Sequence, residues 1–317
     1  NFINVLYEKL NGENPRLGDL YKQTKVLSGS GSNTRNFILL GDPALSLAYP
    51  KYNISTKSIS DTIKALQTVT ISGEVTDDGG MVLDNFNGVL TPTIFDKEII
   101  SYTLGQESCT PMPYKNQTSI LYKGEVSVNS GEFSFSFVVP KDIDNNFDNG
   151  KISYYAQNSF NEDASGYDDS FVIGGVAENI IYDYDGPVIS LFINNRNFID
   201  GGISNSNPLL IVDVEDISGI NTVGNGIGHD ITAILDNNSS NPFILNEYYR
   251  SNLDNFRKGV VEFPFSNLSN GEHSVTFKIW DVFNNSSEKK INFLVTDDGI
   301  ATISDFLNYP NPFSNGT

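Results

Sequence analysis

Cysteine is nearly absent from this 317-residue chain, because Cys109 is the only one. No internal disulfide can form, which excludes the small secreted domains that disulfides frame. Long apolar runs are missing too, since no stretch approaches the roughly 20 residues that a membrane-spanning helix needs. Histidine occurs only at His229 and His273, so few side chains can act as bases near neutral pH.

Basic side chains are also scarce: 20 Lys and Arg stand against 39 Asp and Glu, which gives a net charge of −19 and a pI near 4.3. This balance excludes nucleic acid as the main partner and docking on an anionic membrane through basic patches, because both need a positive surface. A content of 38% hydrophobic and 12% aromatic residues excludes a disordered chain. At about 100–200 residues per domain, the length predicts two or three domains.

Residues 1–50 differ from the rest of the chain in pattern and charge. Apolar residues recur at helical spacing from Phe2 to Leu10 and again over 17–27, which predicts two helices that end near Gly12 and Gly29. The continuous apolar run over 36–40 then predicts a buried, parallel strand. Helix, helix and strand together predict the end of an α/β unit. This segment has 5 basic and 4 acidic side chains, so the excess negative charge lies beyond it.

From residue 52 onward the apolar side chains recur with period two, as at Phe133, Phe135 and Phe137. Short strands between Gly, Asn and Asp turns predict an antiparallel β-sandwich over 51–180. After Gly186-Pro187, which interrupts sheet pairing, strands recur and predict a second sandwich over 181–298. The predicted strands are 188–193, 209–214, 231–235, 260–265, 274–283 and 291–295.

The predicted fold class is therefore mainly β, with two immunoglobulin-like antiparallel β-sandwich domains after the helix–helix–strand segment. Residues 299–317 are rich in Pro and Asn and predict a linker. No leader-type segment follows Asn1, and the last residues resemble the opening of a new unit. Both ends are thus expected to be cut ends of a longer protein.

A cysteine peptidase needs a thiolate beside an imidazole base. Cys109 lies in a loop interrupted by Pro111 and Pro113, with no resemblance to a nucleophile turn, and both histidines lie in the other predicted sandwich. The sequence favours an ordinary loop cysteine. His229-Asp230 follows a Gly-rich string and suggests a base with its orienting carboxylate, or metal ligands. One His and one Asp are too few for a metal site, so a shaped loop with a locally bonded His229 is favoured.

Clusters of acidic residues raise the alternative of a calcium loop. The run 142–150 places oxygen-bearing side chains at alternate positions but lacks the glycine and the terminal glutamate of an EF-hand loop, so a solvated turn is favoured and no metal or cofactor is predicted. Trp280 lies opposite the predicted core face of its strand and is the one candidate for sugar stacking. The acidic clusters are Asp77-Asp78, Asp142/Asp144/Asp148, Asp168-Asp169, Asp183/Asp185 and Asp213/Glu215/Asp216.

Several strings in this chain resemble a known family. Residues 36–45 with Tyr49-Pro50 resemble the end of the gingipain-like cysteine peptidase domain, where it passes into an immunoglobulin-like domain. The strings over 185–187, 216–221, 226–230 and 280–286 resemble the C-terminal region of PorU-type sortases of the type IX secretion system. Residues 308–313 resemble the start of the C-terminal domain of that system's surface proteins, so 299–317 is read as a linker and the start of such a domain.

The resemblance implies a parent protein with a caspase-like fold at the outer face of the outer membrane. Such a cysteine endopeptidase removes C-terminal sorting domains from cargo and joins the cargo to anionic lipopolysaccharide. The family's catalytic His and Cys are expected upstream of Asn1, since no position here matches them. For the two sandwiches the resemblance implies docking to a PorV-type outer-membrane β-barrel, to other attachment-complex proteins or to cargo.

Two alternatives remain open. The chain is alternatively an adhesin-like stack of immunoglobulin-like binding modules without enzymatic activity, with residues 1–50 as a separate helical segment. A self-contained hydrolase that uses Cys109 or His229 is the third hypothesis, and a large separation between these two residues would exclude it.

Overall fold

The computed structural model describes residues 2–6, 8, 10, 12–223 and 228–296, without the side chains of Asn33 and Thr34. The predicted linker over 299–317 and part of the Gly-rich string before His229 lie outside the described residues. Strands account for 47% of the structure and helices for 9%, which confirms a mainly β fold with several sheets. The chain divides into two compact units, Asn1–Lys51 and Tyr52–Thr317, which are described separately.

The first unit is helical. It contains α1 (Phe2–Leu6), α2 (Leu17–Leu27) and α3 (Ser32–Asn36). Helix α2 has the predicted bounds, and Asp19 in its first turn and Lys25 in its last turn both complement the helix dipole. Val5 and Leu20 are the buried apolar side chains of the described helices. No described helix is long and apolar enough to cross a membrane.

The predicted buried strand over 36–40 is wrong for this structure. Asn36 ends α3, and the following residues form no strand. Phe37, Ile38 and Leu40 are 71%, 69% and 87% exposed. The physical reason is that a strand of a parallel sheet exists only beside neighbours that take up its N–H and C=O groups, and the described part of this unit contains no such neighbour.

The first sandwich begins at Tyr52, and its hydrophobic core is continuous across its larger sheets. An eight-stranded sheet has the order β7-β4-β11-β12-β1-β3-β9, with β8 on β4, and a three-stranded sheet has the order β10-β13-β2. Phe133, Phe135 and Phe137 of β9 lie in the core as their alternation predicts. The strands are β1 (Tyr52–Ser58), β2 (Thr62–Ala65), β3 (Thr68–Thr76), β4 (Gly88–Phe95), β5 (Ile99–Tyr102), β6 (Pro113–Asn116), β7 (Ile120–Lys123), β8 (Val126–Val128), β9 (Glu132–Val138), β10 (Asp148–Asn149), β11 (Lys151–Asn158), β12 (Asp163–Asp168) and β13 (Val172–Val176).

The second sandwich pairs a four-stranded sheet, β14-β16-β20-β19, with a five-stranded sheet, β15-β22-β21-β17-β18. Val275, Phe277 and Ile279 of β21 are completely buried, which confirms the predicted core face of that strand. The strands are β14 (Val188–Ile193), β15 (Ile203–Ser204), β16 (Leu209–Glu215), β17 (Thr232–Leu235), β18 (Phe243–Ile244), β19 (Tyr249–Asn252), β20 (Asn255–Pro264), β21 (Gly271–Trp280) and β22 (Ser286–Val295). The six predicted strands correspond to β14, β16, β17, β20, β21 and β22, most of them with shifted ends, whereas the short strands β15, β18 and β19 were not predicted.

Candidate functional site

Four polar side chains meet where the two sandwiches touch, and we call them the junction network: Asp142, Asn221, His229 and Asn284. Asp142 follows β9 of the first sandwich, whereas the other three belong to loops of the second. One oxygen of Asp142 lies 2.5 Å from His229 Nδ1 and accepts from Asn221 Nδ2 at 3.0 Å. Its other oxygen accepts from Asn284 Nδ2 at 2.7 Å. A single carboxylate thus binds two loops of the other sandwich, the β16–β17 loop through Asn221 and His229 and the β21–β22 loop through Asn284.

The junction network is largely buried, so its hydrogen bonds affect the stability of the interface between the sandwiches. The side chain of Asp142 is 9% exposed and that of His229 is 22% exposed, and Asn221 is fully buried. A buried carboxylate is tolerated only when donors surround it, because desolvation of the charge is otherwise costly. Since the donors come from the second sandwich, separating the sandwiches would strip Asp142 of these partners. The network therefore holds the two sandwiches in one arrangement.

An apolar insertion reinforces the junction. Val223 follows β16 of the second sandwich but is buried in the core of the first, and Phe256 of β20 packs against that same core. Thr222 Oγ1 donates to the Ile120 carbonyl at 3.0 Å. A second contact lies near β8, where Ser127 donates to Asp254 through its N–H at 2.8 Å and its hydroxyl at 2.6 Å. Apolar packing and hydrogen bonds thus act together across the interface.

Trp280 lies opposite the core face of β21, as predicted, but it is not an open stacking surface. Its ring centroid lies 4.4 Å from that of His229, and Lys278 Nζ lies 4.4 Å from the ring centroid on the same strand. The half-buried indole is therefore covered by the junction and by a cation. The geometry gives Trp280 a packing role rather than a role in sugar binding.

Among the described residues, neither histidine is paired with the Cys109 thiol. Cys109 is exposed in the loop between β5 and β6. His229 directs Nδ1 to Asp142, and His273 directs Nδ1 to Asp236 at 2.7 Å and Nε2 to the Ser269 carbonyl at 2.7 Å. Neither imidazole has the Cys109 thiol among its contacts in the described part of the chain. The arrangement suits structural histidines rather than a catalytic dyad.

His273 offers a pH-dependent test of that structural role. Burial lowers the pKa of His273, but hydrogen bonds to the Ser269 carbonyl and the Asp236 carboxylate outweigh it and raise the pKa above its ordinary value. The folded protein therefore holds the proton more tightly than the unfolded chain does. We expect wild type to be stabilised relative to His273→Gln below about pH 6.5, with the advantage lost as the pH rises through the raised pKa.

Urea unfolding of both proteins between pH 5 and pH 9 measures this difference. Asp236→Asn keeps the imidazole but removes its charged partner, so its pH step should be smaller than that of wild type. A difference between wild type and His273→Gln that stays flat, or grows with pH, contradicts the assigned role.

The acidic residues that are neighbours in sequence mostly shape their own turns. Asp77 accepts from the N–H groups of Gly79 and Met81, Asp144 accepts from Asn146 and Asp168 accepts from Ser170. The run 142–150 is therefore not a single ligand loop, because Asp142 turns to the junction network while Asp144 caps its own turn.

The last acidic cluster, Asp213/Glu215/Asp216, separates in space. Asp213 pairs with Arg196 and Glu215 with Lys258. Asp216 instead converges with Asp183 and Asp281, and one carboxylate oxygen of each lies within 4.8 Å of the others. The sequence analysis did not predict this group, because Asp281 has no acidic neighbour in the sequence. The only feature of the sequence that could have pointed to Asp281 is its position at the end of a predicted strand.

Strands β5 and β6 pair only with each other among the described strands, and we call them the exposed hairpin. Large apolar side chains on it face solvent, which is unusual for a surface without a partner. They are Ile99, Ile100, Tyr102, Leu104, Met112 and Tyr114, with exposed fractions of 49–84%. The hairpin is the candidate docking surface of the first sandwich.

No protein-family model and no curated protein matches this chain. Among solved structures it is similar to dimeric latent PorU from Porphyromonas gingivalis, with 29% identity over 94% of this chain and a TM-score of 0.47. The chain spans 29% of the length of that protein. It also matches the fibronectin(III)-like modules of Clostridium thermocellum CbhA, with 10% identity, 80% of this chain, 100% of that one and a TM-score of 0.23. A bacterial ice-binding adhesin matches with 14% identity, 78% of this chain, 65% of that one and a TM-score of 0.22.

Proposed function

We propose that this chain is the non-catalytic C-terminal region of a PorU-type sortase. The parent enzyme would remove C-terminal sorting signals from type IX secreted cargo and attach the cargo to anionic lipopolysaccharide at the outer face of the outer membrane. The observation that carries the non-catalytic assignment is the junction network, in which His229, one of the two candidate catalytic residues, is used to join two sandwiches. The family motifs noted above, together with 29% identity to PorU over most of this chain, support it.

For the helical unit we propose the closing part of a caspase-like α/β peptidase domain. The exposed run of Phe37, Ile38 and Leu40 supports this proposal, because a continuous apolar segment is typical of a strand buried on both faces. In the parent protein, upstream strands would pair with this segment and cover it. The catalytic His and Cys would lie in that upstream part.

For the sandwiches, which we take to be immunoglobulin-like, we propose docking to a PorV-type outer-membrane β-barrel through the exposed hairpin. Six large apolar side chains, four on the two short strands and two in the loop between them, form a patch of the kind that marks protein interfaces. The strongly acidic surface elsewhere disfavours unspecific contact with an anionic lipopolysaccharide layer.

Binding of the purified chain to a detergent-solubilised barrel of this type tests the proposal. We expect a measurable Kd by biolayer interferometry, and at least tenfold weaker binding for Ile100→Asp, because a charge in the centre of an apolar contact is left desolvated. Ile199→Asp is the matched control, since Ile199 is 79% exposed on the second sandwich.

Absence of binding contradicts the docking role, and equal weakening by both Ile-to-Asp changes contradicts the assignment to the hairpin. Cleavage of a cargo sorting domain by this chain alone, abolished by Cys109→Ser, would overturn the non-catalytic assignment. Binding to glycans or to other cells without any binding to the barrel would favour the adhesin-like alternative.

A further inference from the structure

Three carboxylates from distant parts of the chain converge at the start of the second sandwich, and we call them the Asp triad: Asp183, Asp216 and Asp281. Asp183 lies in the segment that joins the two sandwiches, between β13 and β14. Asp216 directly follows β16, and Asp281 directly follows β21. One oxygen from each residue lies within 4.8 Å of the other two.

The triad contains one buried acceptor atom that no donor from the described part of the chain reaches. Asp183 Oδ2 is inaccessible to solvent and has no hydrogen-bond partner, although Oδ1 accepts the Asp185 N–H at 3.1 Å. Asp216 is 6% exposed, and its hydrogen bonds, from Ser218 and Gly219, all go to Oδ1. A buried acceptor without a donor costs free energy, so Asp183 Oδ2 points to a cation or a further donor as its partner.

The negative charge of the triad has no compensating cation in the described part of the chain, since none of the three carboxylates forms an ion pair with Lys or Arg there. Arg257, which lines the same cleft as Asp183, places its guanidinium over the Phe256 ring. Burial raises the pKa of Asp281 to about 6 and also raises the pKa of Asp216. Burial thus destabilises the anionic forms of Asp216 and Asp281 unless a positive charge joins them.

The donor set selects the class of cation. All three side chains offer oxygen, and neither His nor Cys belongs to the group, which disfavours zinc and copper. Hard oxygen ligands suit Ca²⁺ and Mg²⁺. Ca²⁺ at about 2.3–2.6 Å from each ligand permits oxygen pairs nearly 5 Å apart and tolerates irregular geometry, whereas Mg²⁺ demands a tight octahedron.

We propose that Asp183, Asp216 and Asp281 bind one Ca²⁺ ion, which fastens the inter-sandwich segment to the second sandwich. Asn285 already links the two sides, because its Nδ2 donates to Asp281 Oδ2 at 2.7 Å and to the Asp183 carbonyl at 3.0 Å. The ion adds the charge compensation that the amide cannot provide. This inference differs from the sequence-based prediction of no metal and does not depend on the proposed sortase role.

Calcium titration of the whole chain, after removal of divalent ions with EDTA, tests the proposal. We expect one Ca²⁺ per chain by isothermal titration calorimetry, a Kd below about 10⁻³ M, weaker binding of Mg²⁺, and a Tm that rises with calcium concentration. Asp183→Asn is the informative variant because Asp183 is the one member outside the sandwich strands and their turns. It should bind Ca²⁺ at least tenfold more weakly.

The matched control is Asp185→Asn, because Asp185 is an exposed carboxylate two residues away whose backbone alone contacts the triad. It should bind Ca²⁺ as wild type does. In EDTA, Asp183→Asn should have a Tm equal to or above that of wild type, since a repelling charge is gone. A wild-type chain that binds no Ca²⁺, unaltered binding by Asp183→Asn, tighter binding of Mg²⁺, or a loss of stability of Asp183→Asn in EDTA would each overturn the assignment.

Discussion

Replacing Asp142 by Ala should lower the free energy of unfolding of the β part of the chain by about 3–5 kcal/mol. The substitution leaves His229, Asn221 and Asn284 without the carboxylate that they share across the junction. Asn221 Nδ2 keeps Asn284 Oδ1 as an acceptor at 3.2 Å, so the loss falls mainly on Asn284 Nδ2 and on His229. Each buried donor that is left without an acceptor costs about 1–3 kcal/mol. Urea unfolding measures this loss of stability. Trp280, the only tryptophan, is the fluorescent probe, and its ring lies against that of His229.

Two further substitutions make this result specific. Asp142→Asn keeps an acceptor of the same shape and should lose less stability than Asp142→Ala. Asp144→Ala is the matched control, because Asp144 is an exposed carboxylate two residues away that only caps the turn at Asn146, and its loss should cost about 1 kcal/mol or less. Similar losses for Asp142→Ala and Asp144→Ala would show that the junction network contributes little.

Replacing Val223 by Asp should split the unfolding of the two sandwiches into two transitions. Val223 is 1% exposed and belongs to the core of the first sandwich although its chain segment comes from the second. A charge at this position must either be desolvated, at a cost of several kcal/mol, or leave the core and open the interface. In wild type the shared interface should couple the sandwiches into a single cooperative transition.

Differential scanning calorimetry, with far-UV circular dichroism and Trp280 fluorescence as separate probes, distinguishes these outcomes. Coincident transitions are expected for wild type and non-coincident ones for Val223→Asp, since Trp280 reports on the second sandwich and its junction whereas circular dichroism reports on the strands of both sandwiches. Val188→Asp is the control because Val188 is 68% exposed at the start of β14, and a surface change should stay within about 0.5 kcal/mol. A single coincident transition for Val223→Asp would exclude coupling through this side chain.

Much of the β architecture follows from local pattern. The alternation at Phe133, Phe135 and Phe137 predicts the inward face of β9, and the same rule predicts the buried face of β21. Burial has a period of two because successive side chains of a strand point to opposite faces of the sheet. The buried face can therefore be predicted from a few neighbouring residues. Strand ends are harder to predict from the sequence, because polar residues pair in a sheet as well as apolar ones do. Strand β22, for example, starts at Ser286 rather than at the predicted Ile291.

The roles of the candidate site residues are harder to predict from the sequence. Cys109 and His229 were singled out for their chemistry, yet the structure gives the first an exposed loop and the second a partner from the other sandwich. Trp280 was placed on the correct face, but the cover that His229 provides depends on a loop about 50 residues away in sequence. Composition and spacing do not encode which loops meet, so the roles of these residues required the fold.

What the sequence determined by itself is the acidic, mainly β character of the chain, the helix over Leu17–Leu27 and the inward faces of its strands, because each depends on residues close together in the chain. Only the tertiary structure decided that residues 36–40 stay unpaired, that Asp142 joins two sandwiches and that Asp183, Asp216 and Asp281 converge. Strand pairing and buried charge compensation are relations between distant segments. Strand pairing and charge compensation contribute to stability only when those segments are packed together.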